Sequence, residues 1–164
     1  MVGEDSVRLR IAREEDAPQI LALINSAFRR VEGSFVVGDR ISLGEVLSCL
    51  ANGKFLLAEN EKFILGCVYV EPRNSAERQH AYLGLLAVDP ERQQSGLGSL
   101  LMTRAENYCR DLGCRSMEIK IVNLRKDLPE FYQKRGYVET GTSPFPSDVE
   151  TILPCHFIDM SKPL

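Results

Sequence analysis

No stretch of this chain approaches the roughly 20 consecutive apolar residues that a membrane-spanning helix requires, so a helical membrane protein is not expected. Residues 1–7 hold neither a basic region nor an apolar run, and no secretory signal is read there. The five cysteines, Cys49, Cys67, Cys109, Cys114 and Cys155, contain no CxxC pair, and the only histidines are the distant His80 and His156. That leaves zinc chemistry little to stand on, so no metal is expected. An odd, irregular set of thiols fits a reduced cytoplasmic protein. Excess charge of one sign is missing too: 20 basic against 23 acidic residues give a net charge of −3. Neither a nucleic acid nor an anionic membrane surface is therefore expected as partner. Small basic groups such as Arg29-Arg30 and Lys134-Arg135 read as solvated faces. Internal repeats and low-complexity tracts are also lacking.

What remains is an ordinary globular composition, 44% hydrophobic over 164 residues. That length fits one domain, residues 1–164, burying roughly two thirds of its unfolded surface. Val7 to Ile11 alternates as a strand, and Asp16 with Pro18 predicts the capped start of a helix carrying Ile20, Leu21, Leu23, Ile24, Ala27 and Phe28 on one stripe. Residues 29–41 read as a connection. Ser42 and Glu45 have capping-box spacing before a second helix that stops at Asn52-Gly53. Phe55–Glu59 and Phe63–Val70 flank Asn60-Glu61-Lys62 as a hairpin, and 71–79 is a polar loop.

Ala81–Val88 is almost wholly apolar, as expected of a central strand buried on both faces. A helix opening near Gly96 and ended by Gly113 leads to a strand at 116–122, which a right-handed crossover makes parallel to 81–88. Asp127 is expected to cap a short helix reaching Arg135, ended by Gly136. Tyr137 to Glu139 is extended, the proline-rich 140–155 reads as a loop, and 156–160 as a last strand.

The most informative segment runs from Val88 to Leu101. There an apolar strand passes through a glycine-punctuated turn into a helix, whose first N–H groups lack intrahelical partners and favour an anion. Gly96 and Gly98 let the backbone approach a phosphate closely. Neither GxxxxGK[ST] nor GxGxxG with a following acid is present, so the triphosphate loop and the dinucleotide fingerprint are both unsatisfied. By itself the turn is compatible with a phosphate cradle or with a plain helix start.

Gln93-Gln94-Ser95-Gly96-Leu97-Gly98, following Val88-Asp89-Pro90, closely resembles the acetyl-coenzyme A signature of the GNAT superfamily of N-acetyltransferases, Q/R-x-x-G-x-G/A. Asn123 and then Phe131-Tyr132-Gln133-Lys134-Arg135-Gly136-Tyr137 resemble that family's second signature in order and distance, and the element order matches over roughly residues 7–161. The resemblance implies an α/β fold of the mixed α+β kind: a splayed, mostly antiparallel sheet of about seven strands, flanked by four helices. It also implies acetyl-coenzyme A as cofactor. Backbone along Leu86, Ala87 and Val88 would hold the pantetheine arm, and Gln93, Gln94, Ser95, Gly96, Leu97, Gly98 and Ser99 the pyrophosphate. The Asn123 side chain would contact the cofactor and Tyr132 would lie near the thioester sulfur. Relatives use the last strand and the proline loop for homodimers, which makes a homodimer one state the resemblance allows.

Acetyl transfer needs a neutral amine, donors for the developing oxyanion and a proton or hydrogen bond for the departing thiolate. A backbone N–H near Leu86 is the expected oxyanion contact, and Tyr132 the expected donor to the thiolate; a tyrosine simply packed against the glycine turn is the plainer alternative. The base is the departure. Several family members carry a glutamate two positions before the residue matching Gly84, whereas this chain has Tyr82. Glu71 and His80 are the substitutes, acting through water, although both also fit polar positions at strand ends. Acceptor recognition is assigned to 29–41, 71–79 and 140–155, with Phe35, Tyr69 and Phe145 as walls. A small-molecule amine and a peptide amino terminus both remain open. A module that binds acyl-coenzyme A without turnover is the rival reading.

Overall fold

In the computed structural model, which describes residues 6–93 and 95–164, one sheet holds seven strands in the order β1-β2-β3-β4-β5-β7-β6. They are β1 (Arg8–Ile11), β2 (Lys54–Glu59), β3 (Ile64–Pro72), β4 (His80–Val88), β5 (Ser116–Val122), β6 (Val138–Pro144) and β7 (His156–Pro163). Every neighbouring pair is antiparallel except β4 and β5, which are parallel as the crossover predicts. Among the described residues there are four α-helices: α1 (Ala17–Glu32), α2 (Leu43–Asn52), α3 (Leu97–Asp111) and α4 (Leu128–Gln133). Helices α1 and α2 close a core around Ile20, Ile24, Val46, Phe55 and Leu57. On the opposite face α3 and α4 close a second core around Leu101, Met102, Ala105, Met117 and Tyr137.

Local chemistry explains most boundaries. Ser42 Oγ accepts from Glu45 N at 3.2 Å while Glu45 Oε1 accepts from Ser42 N at 3.3 Å, the expected capping box. Asn60 turns the hairpin by accepting from the Lys62 and Phe63 amides at 2.8 and 2.7 Å. Other boundaries differ from expectation. Helix α1 continues through Glu32 rather than yielding to a connection at 29, and β6 runs to Pro144, into the segment read as a loop. Nearly all of β6 is exposed, so it carries no apolar alternation by which to recognise it. Strand β7 likewise extends past residue 160, and α4 stops at Gln133, short of Arg135.

Neither expected aspartate cap forms. Asp127 is helical in backbone and its carboxylate instead takes Arg125 Nε and Nη2 at 3.0 and 2.9 Å. Asp16 closes a 3-10 turn, Glu14–Asp16, that runs straight into α1, so its carboxylate faces backward to Arg13 N at 2.7 Å and to both Arg10 terminal nitrogens at 2.8 Å. The Arg10 hydrogen bonds hold the Asp16 carboxyl below its ordinary 3.8, against the upward pull of burial. That contribution is complete above the unfolded value and is lost as pH falls through the folded one. Asp16→Asn is accordingly expected to cost about 1–2 kcal/mol at neutral pH, the gap to the parent closing below about pH 4. Urea unfolding at both pH values measures this; a gap independent of pH would assign the loss to something other than the ion pair.

Among the described residues no helix is long and apolar enough to cross a membrane, no group of three or more His, Cys, Asp or Glu is placed to hold a metal, and the five cysteines are free.

Candidate active site

The site originates in a defect of β4. Its pairing with β3 passes from Tyr69↔Gly84 to Cys67↔Ala87, so Leu85 and Leu86 together face the single residue Val68. This is a β-bulge, and Leu85 adopts φ +52, a left-handed conformation that a leucine holds only when its surroundings enforce it. On the other side, β4 pairs with β5 only from His80↔Ser116 to Leu83↔Ile119. Beyond that point the strands diverge, and among the described residues no strand pairs the β5-facing edge of residues 84–88.

The divergence corrects the expectation that β4 is buried on both faces. Ala81, Leu83 and Ala87 are buried, but Tyr82 and Gly84 to Leu86 are only half-buried because they border a cavity of about 490 Å³. Its walls come from the end of α1, the bulged half of β4, the start of α3, residues 119–122 of β5, and α4. The α3 end is built as the sequence suggested. Gly96 occupies the N-cap with φ +85 and ψ 0, a conformation natural to glycine, and α3 then runs 15 residues with its amino end at the cavity.

Of the residues singled out for cofactor binding, Leu86, Val88, Gln93, Gly96, Leu97, Gly98, Ser99 and Tyr132 line this cavity. Ala87 is buried toward the α1 face instead. Ser95 Oγ donates to the Arg92 carbonyl, and Gln94 lies outside the described residues. Asn123 is not part of the lining: its Oδ1 accepts from His156 N at 2.9 Å, tying the end of β5 to β7.

The four candidate catalytic residues divide in two. Tyr132 and Tyr82 line the cavity; Glu71 and His80 do not. Tyr132 is buried and packs edge-on against Phe131 and Tyr137, at 5.1 and 5.7 Å between ring centres. Burial pushes its hydroxyl up to about 12. The Tyr82 ring folds along its own strand over Gly84, where a Cβ would fall 2.6 Å from the Tyr82 hydroxyl. Burial raises its pKa as well, against the guanidinium groups of Arg73 and Arg40. Arg73 stacks on the Tyr82 ring at 4.8 Å. Glu71, at the end of β3, accepts from the Tyr69 hydroxyl at 2.9 Å and from Arg73. His80 sits 3.6 Å from Glu118.

Several charged residues of the lining had not been singled out from the sequence, among them Glu32, Arg40 and Arg125. Glu32 is 3% exposed, 3.3 Å from Arg40 Nε and 4.0 Å from Arg125 Nη1. Desolvation raises its pKa, partly offset by the two arginines. A signal for Glu32 existed, since it continues the four-residue spacing of Ile24 and Phe28 along the apolar stripe, where a charge is out of place. Arg40 and Arg125 reach the site only through the tertiary fold. Of the proposed acceptor walls, Phe35 and Tyr69 are buried packing residues, whereas Phe145 stacks on Phe157 and lies under Arg40.

Comparison with known proteins adds the following. The family model described as Acetyltransferase (GNAT) family matches residues 18–137. An amino-acid acetyltransferase of Azotobacter vinelandii is 26% identical over 144 residues, 88% of this chain and 30% of that protein. One from Pseudomonas syringae pv. syringae is 29% identical over 94 residues, 57% of this chain and 20% of that protein. The chain therefore spans well under half the length of these curated relatives. Among solved structures, the ribosomal-protein-alanine N-acetyltransferase of Brucella melitensis superposes with a TM-score of 0.76 at 21% identity, covering 96% of this chain and 99% of that one. At that identity the likeness concerns the fold.

Proposed function

The chain belongs to the acetyltransferase (GNAT) family, and on that premise we propose that it transfers acetyl from acetyl-coenzyme A to the primary amine of a small molecule or peptide. The observation that carries the reading is the opening between β4 and β5, bounded at one end by the α3 amino terminus. An extended thioester arm suits such an opening, because its amides meet strand backbone left without a partner strand. A pyrophosphate suits the Gly96 turn for the electrostatic reason given by the helix start.

In this reading acetyl-coenzyme A supplies the activated carbonyl. The backbone amides at the Leu85–Leu86 bulge stabilise the oxyanion as the amine nitrogen bonds to the carbonyl carbon. Tyr132 would donate a hydrogen bond to the thiolate as the carbon–sulfur bond breaks, and the proton given up by the nitrogen would balance the amide and free thiol formed. Tyr82, with its raised pKa, stays protonated near neutrality and is no base. Glu71 and His80 stand outside the cavity walls, so either would have to act through water. Glu32 is the lining carboxylate whose raised pKa suits it to accept the amine's proton.

The relatives named amino-acid acetyltransferases support a small-molecule acceptor. Tyr82, where an acid is usual, favours the rival reading of a non-catalytic acyl-coenzyme A binder. Mixing the protein with acetyl-coenzyme A and an amine panel decides between them: thiol release dependent on the amine is expected, and tight cofactor binding without release for any amine sinks the enzymatic reading.

A further inference from the structure

In the cavity wall, Arg40 and Glu32 form an incomplete pair. Arg40 Nε and Glu32 Oε1 face each other at 3.3 Å and are both sealed from the cavity, whereas the Arg40 terminal nitrogens and Glu32 Oε2 make no hydrogen bond among the described residues. Arg125, with Nη1 4.0 Å from Glu32 Oε2, makes a two-bond fork to Asp127. Among the described residues Arg40 has no second carboxylate partner. Its guanidinium lies over the Phe145 ring at 5.0 Å, a contact that fixes its plane without using its N–H groups. A guanidinium in a cavity wall with its terminal fork unpaired, beside a carboxylate oxygen that is also open, points to a ligand carrying both complements.

The chain also invests in holding Arg40 still. Asn25, a polar residue buried within α1, accepts from Arg40 N at 2.9 Å and Ile41 N at 3.1 Å and donates to Ile41 O at 2.9 Å. Every one of these contacts goes to the backbone that presents Arg40. The pair lines the same cavity as Tyr82 and Tyr132.

We propose that Arg40 is the anchor for a carboxylate on the acceptor and that Glu32 faces the acceptor's ammonium group, so that the acceptor is a free amino acid. The inference rests on the acetyl-transfer reading and narrows it. A peptide amino terminus or a simple amine offers Glu32 its donors but leaves Arg40 without an acceptor. An amino acid satisfies both.

The test uses the common amino acids and their α-carboxamides, which differ in the charge Arg40 would read. Binding to the coenzyme A-loaded protein is followed by calorimetry, and turnover by thiol release. At least one amino acid is expected to bind on the order of 10- to 100-fold more tightly than its own carboxamide, the worth of a charge-assisted hydrogen bond. Arg40→Gln should bring that ratio close to one, and Arg40→Lys should restore part of it, because lysine keeps the charge but not the fork. The Asn25 bonds go to backbone and survive in both variants, but Arg40→Gln also takes the nearest positive charge from buried Glu32 and should lower the melting temperature, Arg40→Lys less so; the acid-to-amide ratio is therefore read on each variant below its own transition. Equal binding of acid and amide to the parent, a ratio untouched by Arg40→Gln, or no binding by any amino acid overturns the proposal. An acid preference without thiol release sinks the transfer reading and leaves the anchor standing; thiol release without acid preference does the reverse.

Discussion

Replacing Tyr132 by phenylalanine is expected to slow acetyl transfer by about 10- to 100-fold while leaving acetyl-coenzyme A affinity and melting temperature where they are. The magnitude follows from the direction in which the phenol is shifted. A hydroxyl pushed up to about 12 is fully protonated at neutral pH, but transferring its proton outright to a thiolate with an ordinary thiol pKa of about 8.5 is uphill by several kcal/mol. Donation of a hydrogen bond to the charge developing on sulfur is therefore the larger contribution. Its loss is worth roughly 1.5–3 kcal/mol, less than full general-acid catalysis can supply. The variant is clean because the edge-on contacts with Phe131 and Tyr137 use the ring, which phenylalanine keeps. Steady-state rates with a competent amine and cofactor titration separate the effects. Unchanged turnover would leave Tyr132 as a packing residue against the helix that borders the glycine turn.

What the sequence disclosed and what it concealed divide by distance along the chain. Ser42 and Glu45 act across one turn of helix, Asn60 across three residues, and Gly96 on its own backbone, so each declared itself by type and spacing. The parallel β4–β5 pair was equally legible, because a strand, a helix of about four turns and another strand leave little topological choice. The bulge was not. Leucine has no intrinsic reason to sit at φ +52, and Leu85 does so because β3 offers one residue, Val68, against two. Once the bulge and the divergence from β5 exist, the apolar run 81–88 ceases to be evenly buried, and Tyr82 turns from a core residue into a wall of the cavity. The acceptor end was least legible, for Arg40 reaches Glu32 only through the fold and the cross-chain bonds of Asn25. The segment 29–41, assigned to the acceptor, does contain both residues, and Phe145, named as a wall, does lie under Arg40; within 29–41 the local signal was Glu32, a charge at an apolar spacing.

The Gly96 turn yields the second large effect. Gly96→Val is expected to weaken coenzyme A binding by on the order of 10- to 100-fold and to lower the melting temperature. Crowding is not the cause, since a Cβ built at Gly96 meets no atom within 4 Å. The cost lies in φ +85, which an L-residue accepts only at about 1–2 kcal/mol, and more when β-branched. Relaxing that angle turns the first amides of α3 away from the point on which they converge, so strain and lost anion binding have one origin. Gly98→Ala separates the two. Gly98 already lies in α3 without a positive φ, and its Cβ would touch only Phe131 Cζ at 3.9 Å, so alanine should not lower the melting temperature. Any loss of cofactor affinity in Gly98→Ala then reports how closely the ligand approaches the backbone there. If Gly96→Val loses stability yet binds coenzyme A as the parent does, the turn shapes the helix start only and the phosphate contact lies elsewhere along the cavity.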